Sequence, residues 1–230
     1  ICFSGWIFRQ STAREKLFWD NTIRCETKEL KEGEIKSENI ALPEDFDVPK
    51  SILFKTTHTI AEVWLDGEKI YEYGNEADAP GFMKTPGSCW HIVDIPGDSS
   101  GKNLEVRIIP VYEGYYGNEV SLVYGTRGDC ILKILTDSLG ILVISCGILF
   151  AAVICILLYC GAARRKRSDK TEAKIEIFLN LGFFSLLVAV WTLVQCGFLQ
   201  FLIPDGRTLY FVEYFSLFLF PVPFNFLLYD

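Results

Sequence analysis

The clearest pattern along the chain is a change near residue 135, from alternating polar and apolar positions to long apolar runs. Residues 138–160 contain no charged side chain and match the roughly 20 residues that a helix needs to cross a bilayer. Two further apolar runs follow, the last with Glu213 near its beginning and Pro221 and Pro223 near its end. The pattern predicts transmembrane helices at residues 134–161, 175–203 and 209–229, with a kink or break at the prolines.

The connections between the apolar runs predict how the helices cross the membrane. Residues 162–174 carry six Lys or Arg side chains, and such positive loops stay on the cytoplasmic side. Residues 204–208 are short and begin with a Pro-Asp-Gly turn, as expected for a connection on the other side. Residues 1–133 are therefore predicted to form an extracellular domain of a multi-pass cell-membrane protein.

Residues 1–133 show the short alternating runs that are typical of β-strands. Asp66-Gly67 separates residues 60–65 from residues 68–73, which is a strong hairpin signal because both turn residues tolerate positive φ. Alternation places Ala61, Val63 and Leu65 on one face, opposite Glu62 and Trp64. Further strands are expected at residues 90–95, 104–110 and 120–124, and one or two within residues 16–24. The predicted fold is an extracellular β-sandwich followed by membrane α-helices.

Two stretches of the sequence resemble known families. Residues 56–74, with the turn Val63-Trp64-Leu65-Asp66-Gly67 and the strand end Tyr73-Gly74, resemble a galactose-binding-like jelly roll. The helices from residue 178 onward are similar to those of bacterial membrane receptors, the seven-transmembrane receptors with diverse intracellular signalling modules. In one branch such a region precedes a GGDEF-type diguanylate cyclase. No GGDEF sequence occurs here, so the resemblance implies a cyclase beyond this fragment of a longer protein.

Charge and cysteine content restrict the partners that can be expected. The net charge of −7 arises entirely within residues 1–133, which carry 15 Lys or Arg against 22 Asp or Glu. So acidic a domain argues against nucleic-acid binding. None of the eight cysteines forms a CxxC pair, so neither a zinc site nor another cofactor is expected. Four of them, Cys2, Cys25, Cys89 and Cys130, lie in the outer part and allow three disulfide pairings.

Aromatic and amide side chains in one loop, and a tryptophan directly after another, suggest a ligand site. The candidate residues are Trp90, Tyr112, Tyr115, Tyr116 and Asn118. Aromatic faces stack on the apolar faces of sugars while amides bind their hydroxyl groups, so this set favours a carbohydrate or another small ligand. The competing interpretation is that the tyrosines pack the domain against the membrane or the first helix.

No catalytic motif is present, and His58 and His91 lie in predicted strands, where a structural role is expected. Any enzymatic activity would belong to the parent protein, for which the resemblance implies a diguanylate cyclase. The main hypothesis is the sensory and transmembrane input half of a bacterial signalling protein. The expected partners are membrane lipid, an extracellular ligand and a second copy paired through the helices. The alternatives are a membrane-anchored carbohydrate-binding or adhesion protein, and a transporter or membrane enzyme with an ancillary jelly roll.

Overall fold

The computed structural model describes residues 23–24, 36–42, 50–75, 83–112, 121–164 and 172–229. The chain divides into two compact units, Ile1–Lys133 and Ile134–Asp230, and each is described by itself. The first unit is called the β domain and the second the helical unit.

The described part of the β domain contains eight strands in two antiparallel sheets of four. The strands are β1 (Ile23–Arg24), β2 (Lys36–Ala41), β3 (Lys50–Thr57), β4 (Thr59–Leu65), β5 (Glu68–Tyr73), β6 (Ser88–Ile95), β7 (Asn103–Pro110) and β8 (Ser121–Gly125). Sheet I has the order β1-β8-β3-β6, and sheet II has the order β2-β7-β4-β5. Every pairing within these sheets is antiparallel, and only the pair β4 with β5 joins strands that are consecutive in the chain.

The hairpin at Asp66-Gly67 is confirmed. Asp66 has φ 49° and Gly67 has φ 85°, and β4 pairs with β5 on either side of this turn. The turn is also tied to the neighbouring connection, because the Asn103 N–H donates to the Asp66 carboxylate at 2.8 Å. The two-residue turn therefore sets the pairing of Leu65 with Glu68 and of Trp64 with Lys69, and a one-residue register shift follows before Val63 pairs with Tyr71.

Described residues of both sheets form an apolar core between them. Sheet I contributes Ile52, Phe54, Val93, Ile95 and Leu122, while sheet II contributes Ala61, Val63, Leu65, Leu104, Val106 and Ile108. The predicted alternation in β4 is confirmed, since its core-facing residues are at most 7% exposed and Glu62 and Trp64 lie on the other face.

A β domain followed by apolar helices is thus confirmed. Its jelly-roll type and its extracellular placement stay predictions.

The first helix is long: α1 runs from Arg127 to Arg164. It begins seven residues before residue 134, the predicted start of the first membrane span. The reason is a local cap. The Thr126 hydroxyl and N–H both donate to the Asp129 carboxylate, at 2.6 and 3.1 Å. In return, the Asp129 N–H donates to the Thr126 hydroxyl oxygen. This reciprocal arrangement satisfies backbone groups at a helix start. Hydropathy marks where a helix becomes apolar, which here differs from where it begins.

The first turn of α1 also contacts sheet I. Asp94, near the end of β6, accepts a hydrogen bond from the Ser51 hydroxyl at 2.6 Å and pairs with the Arg127 guanidinium at 2.5 Å. The Cys130 thiol donates to the Ser51 carbonyl at 3.7 Å. Arg127 and Asp94 are each about 60% exposed, so their ion pair contributes at most about 1 kcal/mol. Together with the Ser51 contacts, the ion pair fixes the position of the first helical turn against β3 and β6.

Three further helices follow: α2 (Glu172–Val194), α3 (Gly206–Leu219) and α4 (Pro221–Tyr229). A short 3-10 helix, Gly197–Phe201, takes the part of the chain that was predicted to continue the second span to residue 203. Cys196 is extended there (φ −75°, ψ 117°), which ends the helical ladder. The third span is interrupted at Phe220, directly before Pro221, where the sequence predicted a break.

Three helical segments in the described part of the chain are long and apolar enough to cross a membrane. They are Arg127–Arg164, Ile175–Val194 and Gly206–Leu228. Their orientation across the membrane stays a prediction from the basic loop.

A close contact between α1 and α2 occurs at Gly182. A Cβ atom at this position would lie 2.8 Å from Ile156 Cγ1 and 3.4 Å from the Ala152 carbonyl oxygen. Elsewhere along the pair, the Ser145 hydroxyl donates to the Thr192 hydroxyl at 3.0 Å. Small residues at the contact and hydroxyl bonds across it are the usual means by which helices associate in lipid.

We expect Gly182→Ala to destabilise the helical unit by about 1–3 kcal/mol, because the new methyl group overpacks the contact with Ile156. Gly147→Ala is the matched control, since a Cβ there meets nothing within 4 Å and helix propensity alone favours alanine. The stability of each variant is measured by unfolding the full chain in mixed micelles with an increasing fraction of SDS. Equal midpoints for the two variants would contradict the contact.

Candidate ligand-binding site

The candidate residues predicted from the sequence fall in different places. Trp90 lies on the outer face of β6, where the Lys55 ammonium is 5.7 Å from the centre of its ring. Tyr112 follows β7 and is 39% exposed. Tyr115, Tyr116 and Asn118 lie outside the described residues. The structure brings Tyr112 next to a residue that the sequence treated as structural, His58.

His58 connects the two sheets. It is the single residue between β3 in sheet I and β4 in sheet II, and it has φ 56° rather than the strand conformation that was predicted. Its N–H donates to the Gly87 carbonyl at 2.9 Å, and its carbonyl accepts from the Val111 N–H at 3.4 Å. These bonds hold three chain segments together at one end of the β domain. We call this the His58 end: His58, residues 83–87 and residues 110–112.

The His58 side chain is half-buried at this end. Its Nδ1 is 2.8 Å from the Thr85 hydroxyl oxygen, which also accepts from the Gly87 N–H at 3.0 Å. The Tyr112 ring meets the imidazole edge-on with 6.3 Å between centroids. Burial lowers the pKa of His58, so the imidazole is neutral near pH 7 and acts through hydrogen bonding and packing.

Segment 83–87 is held tightly. The Tyr73 hydroxyl donates to the Pro86 carbonyl at 3.0 Å. Gly74, with φ 88°, lies so close that a Cβ on it would be 2.7 Å from Pro86 Cβ. Thr85, Pro86 and Gly87 are buried, whereas Lys84 is exposed. The His58 end therefore presents an ammonium group and an aromatic ring on a fixed backbone.

A buried polar network lies between the sheets beside this end. His91 Nε2 is 2.6 Å from the Thr56 hydroxyl, and its Nδ1 is 2.9 Å from the Tyr71 hydroxyl of sheet II. The Tyr73 hydroxyl is 3.0 Å from the Cys89 sulfur. Burial lowers the pKa of His91 to about 3 and raises that of Tyr71 to about 12, so both groups are neutral. The network is a structural bridge between the two sheets.

The outer face of sheet II carries a charged cluster that sequence reasoning missed. The Arg107 guanidinium lies 4.4 Å from the Trp64 ring centre and the Lys69 ammonium 5.7 Å, while the indole N–H donates to Glu62 at 3.0 Å. Arg107 is held in turn by Glu105 through two hydrogen bonds. The alternation that put Trp64 and Glu62 on the outer face was the available signal. Cations already stack on this ring, which makes it a poor platform for a sugar.

The His58 end suits binding better than catalysis. Thr85 and His58 are hydrogen-bonded, as a nucleophile and its base would be, but Thr85 is only 1% exposed and already accepts a backbone N–H. This pair therefore stabilises the turn. Within the described residues, no group of three or more His, Cys, Asp or Glu is placed to hold a metal ion.

Comparisons with known proteins identify no family. No family model and no curated protein matches the chain. Among solved structures, the native structure of a family 35 carbohydrate binding module from Clostridium thermocellum is similar at 10% identity. The similarity covers 46% of this chain and 88% of that module, with a TM-score of 0.25. At these values it carries no inference about ligand or function.

Proposed function

We propose that the chain is the sensing and membrane-spanning input half of a bacterial signalling protein. The β domain binds an extracellular ligand, and the helices pass the change to a cytoplasmic output, for which the sequence resemblance suggests a diguanylate cyclase. The observation that carries this proposal is the start of α1. Its first turn is bonded to β3 and β6, and the same helix runs unbroken to Arg164.

Transmission requires that ligand binding changes the relative free energies of two arrangements. Asp94 and Ser51 are paired across β6 and β3, so a shift between these strands alters the contact that holds Arg127. A helix that starts inside the bonding network of a domain follows such a shift more directly than a helix on a flexible tether. An adhesion module that only needs an anchor has no use for this connection.

The proposed ligand site is the His58 end. Tyr112 offers a partly exposed ring, Lys84 an exposed ammonium and His58 a neutral imidazole, on segments fixed by backbone hydrogen bonds. Such a combination fits a small polar ligand with an apolar face, and carbohydrates belong to this class. Residues 113–120 continue directly from Tyr112, so the predicted Tyr115, Tyr116 and Asn118 follow it within six residues.

A glycan array probed with the full chain in nanodiscs tests the binding claim. Tyr112→Ala is expected to weaken binding of any captured sugar by about tenfold or more, because the stacking ring is lost. Tyr112→Phe keeps the ring and serves as the matched control, with binding close to wild type. If no glycan binds, or if Tyr112→Ala binds as the wild type does, this ligand site is wrong.

The coupling claim needs a separate measurement. We expect ligand to change hydrogen exchange of the first turns of α1, and Asp94→Asn to diminish this change while altering the affinity by no more than the few-fold that the lost coupling accounts for. The exchanged pair Asp94→Arg with Arg127→Asp should restore it. Ligand binding without any response in α1 would favour a plain anchor. Ligand uptake into vesicles containing the protein would favour a transporter.

A further inference from the structure

The third apolar span is divided at Phe220 into α3 and α4, although the backbone there stays close to helical. Phe220 has φ −51° and ψ −43°, and its N–H donates at 3.2 Å to the carbonyl of Leu217, three residues back rather than four. The regular spacing of four returns with Phe224, whose N–H donates to the Phe220 carbonyl at 3.3 Å. The joint between α3 and α4 is therefore a weakened stretch of helix.

Two prolines account for the weakness of this joint. Pro221 and Pro223 have no N–H to donate. The carbonyls four residues before them, at Leu217 and Leu219, therefore lose the donors that a regular helix supplies. A helix bends most easily where such bonds are missing, so the angle between α3 and α4 depends on the side chains that pack against the joint.

Aromatic rings of α2 pack against the joint. The Phe184 ring centroid lies 5.9 Å from those of Phe220 and Phe224, and the Trp191 ring meets Phe220 edge-on at 6.1 Å. Phe184 and Trp191 are seven residues apart and share one face of α2. Phe220 and Phe224 are four residues apart and share one face across the joint. These distances are those of interacting aromatic pairs, and we call the four residues the ring cluster.

We propose that the joint at Phe220 is a hinge and that the ring cluster is its latch. While the rings are in contact, α4 stays against α2; when they separate, α4 turns about Phe220 and α3 keeps its place. Successive residues of α4 meet earlier residues of α2, so α4 ends toward the beginning of α2, which follows the basic loop. A swing of α4 therefore moves the chain on the side where a cytoplasmic output would lie. The hinge does not depend on the ligand site at the His58 end.

Distances between α2 and the far end of α4 test the hinge. Nitroxide labels on unnatural amino acids replace Ile177 and Leu228, which are 36% and 70% exposed, so the native cysteines stay unlabelled. The full chain in nanodiscs is measured by double electron–electron resonance, and we expect one narrow distance distribution. Phe184→Ala should add a second population. Residue 228 lies about 12 Å along the helix from Phe220, so a swing of about 30° displaces it by about 6 Å.

Further variants separate the latch from the hinge. Phe183→Ala removes a neighbouring ring that is 49% exposed and lies outside the ring cluster, so it should keep one population. Trp191→Leu opens the latch from its other end and should again add the second population, also if Phe184→Ala fails to fold. In either ring variant, Pro221→Ala with Pro223→Ala restores both N–H donors and should remove that population. One population in both ring variants, or two in the wild type, would overturn the latch; a second population that survives the proline replacements would overturn the hinge.

Discussion

Lowering the pH from 7 to 4 is expected to destabilise the β domain by about 3 kcal/mol through His91 alone. Burial lowers the pKa of His91 to about 3, while the same residue in the unfolded chain titrates near 6.5. Between these values the unfolded state binds a proton that the folded state does not. Stability is therefore complete above pH 6.5 and falls by about 1.4 kcal/mol per pH unit below it.

The contacts of His91 explain why it resists protonation. It is 2% exposed, and the groups that face it are the hydroxyls of Thr56 and Tyr71 and the rings of Phe54 and Tyr73. None of these carries a charge near neutral pH that could compensate an imidazolium. The proton would have to enter a dry space between two sheets.

Urea unfolding of the full chain in detergent, read by pulsed hydrogen exchange in β3 and β6, measures this dependence. His91→Gln should be less stable at pH 7 but show a flatter profile between pH 6.5 and 5, where carboxylates scarcely titrate. His58→Gln is the comparison, because its half-buried imidazole has a pKa lowered in the same direction and should remove a smaller part of the slope. A wild-type profile that is flat across this interval would refute the assignment to His91.

Gly74→Ala is expected to destabilise the β domain by about 2–5 kcal/mol, for two reasons that add. Gly74 has φ 88°, a conformation that strains any residue with a side chain. The new methyl group would also lie 2.7 Å from Pro86 Cβ and 3.0 Å from Pro86 Cγ. Because Pro86 belongs to the segment that holds Thr85 against His58, the variant should loosen the His58 end before the core.

Gly101→Ala separates the two contributions. Gly101 also has positive φ, 69°, but a Cβ there meets nothing within 4 Å, so only the backbone strain remains, about 1–3 kcal/mol. The urea midpoints of the two variants, measured as for His91, give the steric contribution as their difference. If Gly74→Ala costs no more than Gly101→Ala, the packing of segment 83–87 against Gly74 is not tight in solution.

Local patterns predicted much of the architecture. The Asp66-Gly67 turn, the alternation of β4 and the apolar helices follow from two-residue turn chemistry and from hydropathy, and each needs only nearby residues. The helix that contains the first predicted span begins seven residues before it, because its cap, Thr126 with Asp129, lies in a polar stretch that hydropathy does not register. The predicted domain bounds and the membrane orientation stay predictions.

The candidate site was harder to predict because it depends on contacts between distant segments. Tyr112 was named for its aromatic neighbours in sequence, yet its described partner is His58, more than fifty residues earlier. A histidine in an alternating run is read as a strand residue. Only the positive φ of His58 in the structure reveals that the chain passes from one sheet to the other at this residue. Trp90 was named because it follows a loop in the sequence; it lies within β6, and no pattern could tell that Lys55 stacks on it.

The capped start of α1 also restricts how the chain can change in length. From Arg127 to Arg164 each residue advances the helix by about 1.5 Å and turns it by about 100°, so one inserted residue rotates every later side chain onto another face. Insertions of seven residues restore the phase to within about 20°, whereas insertions of one or two do not. Length variation along this helix should therefore come in steps close to whole turns, such as seven or eleven residues, while a loop would accept any number.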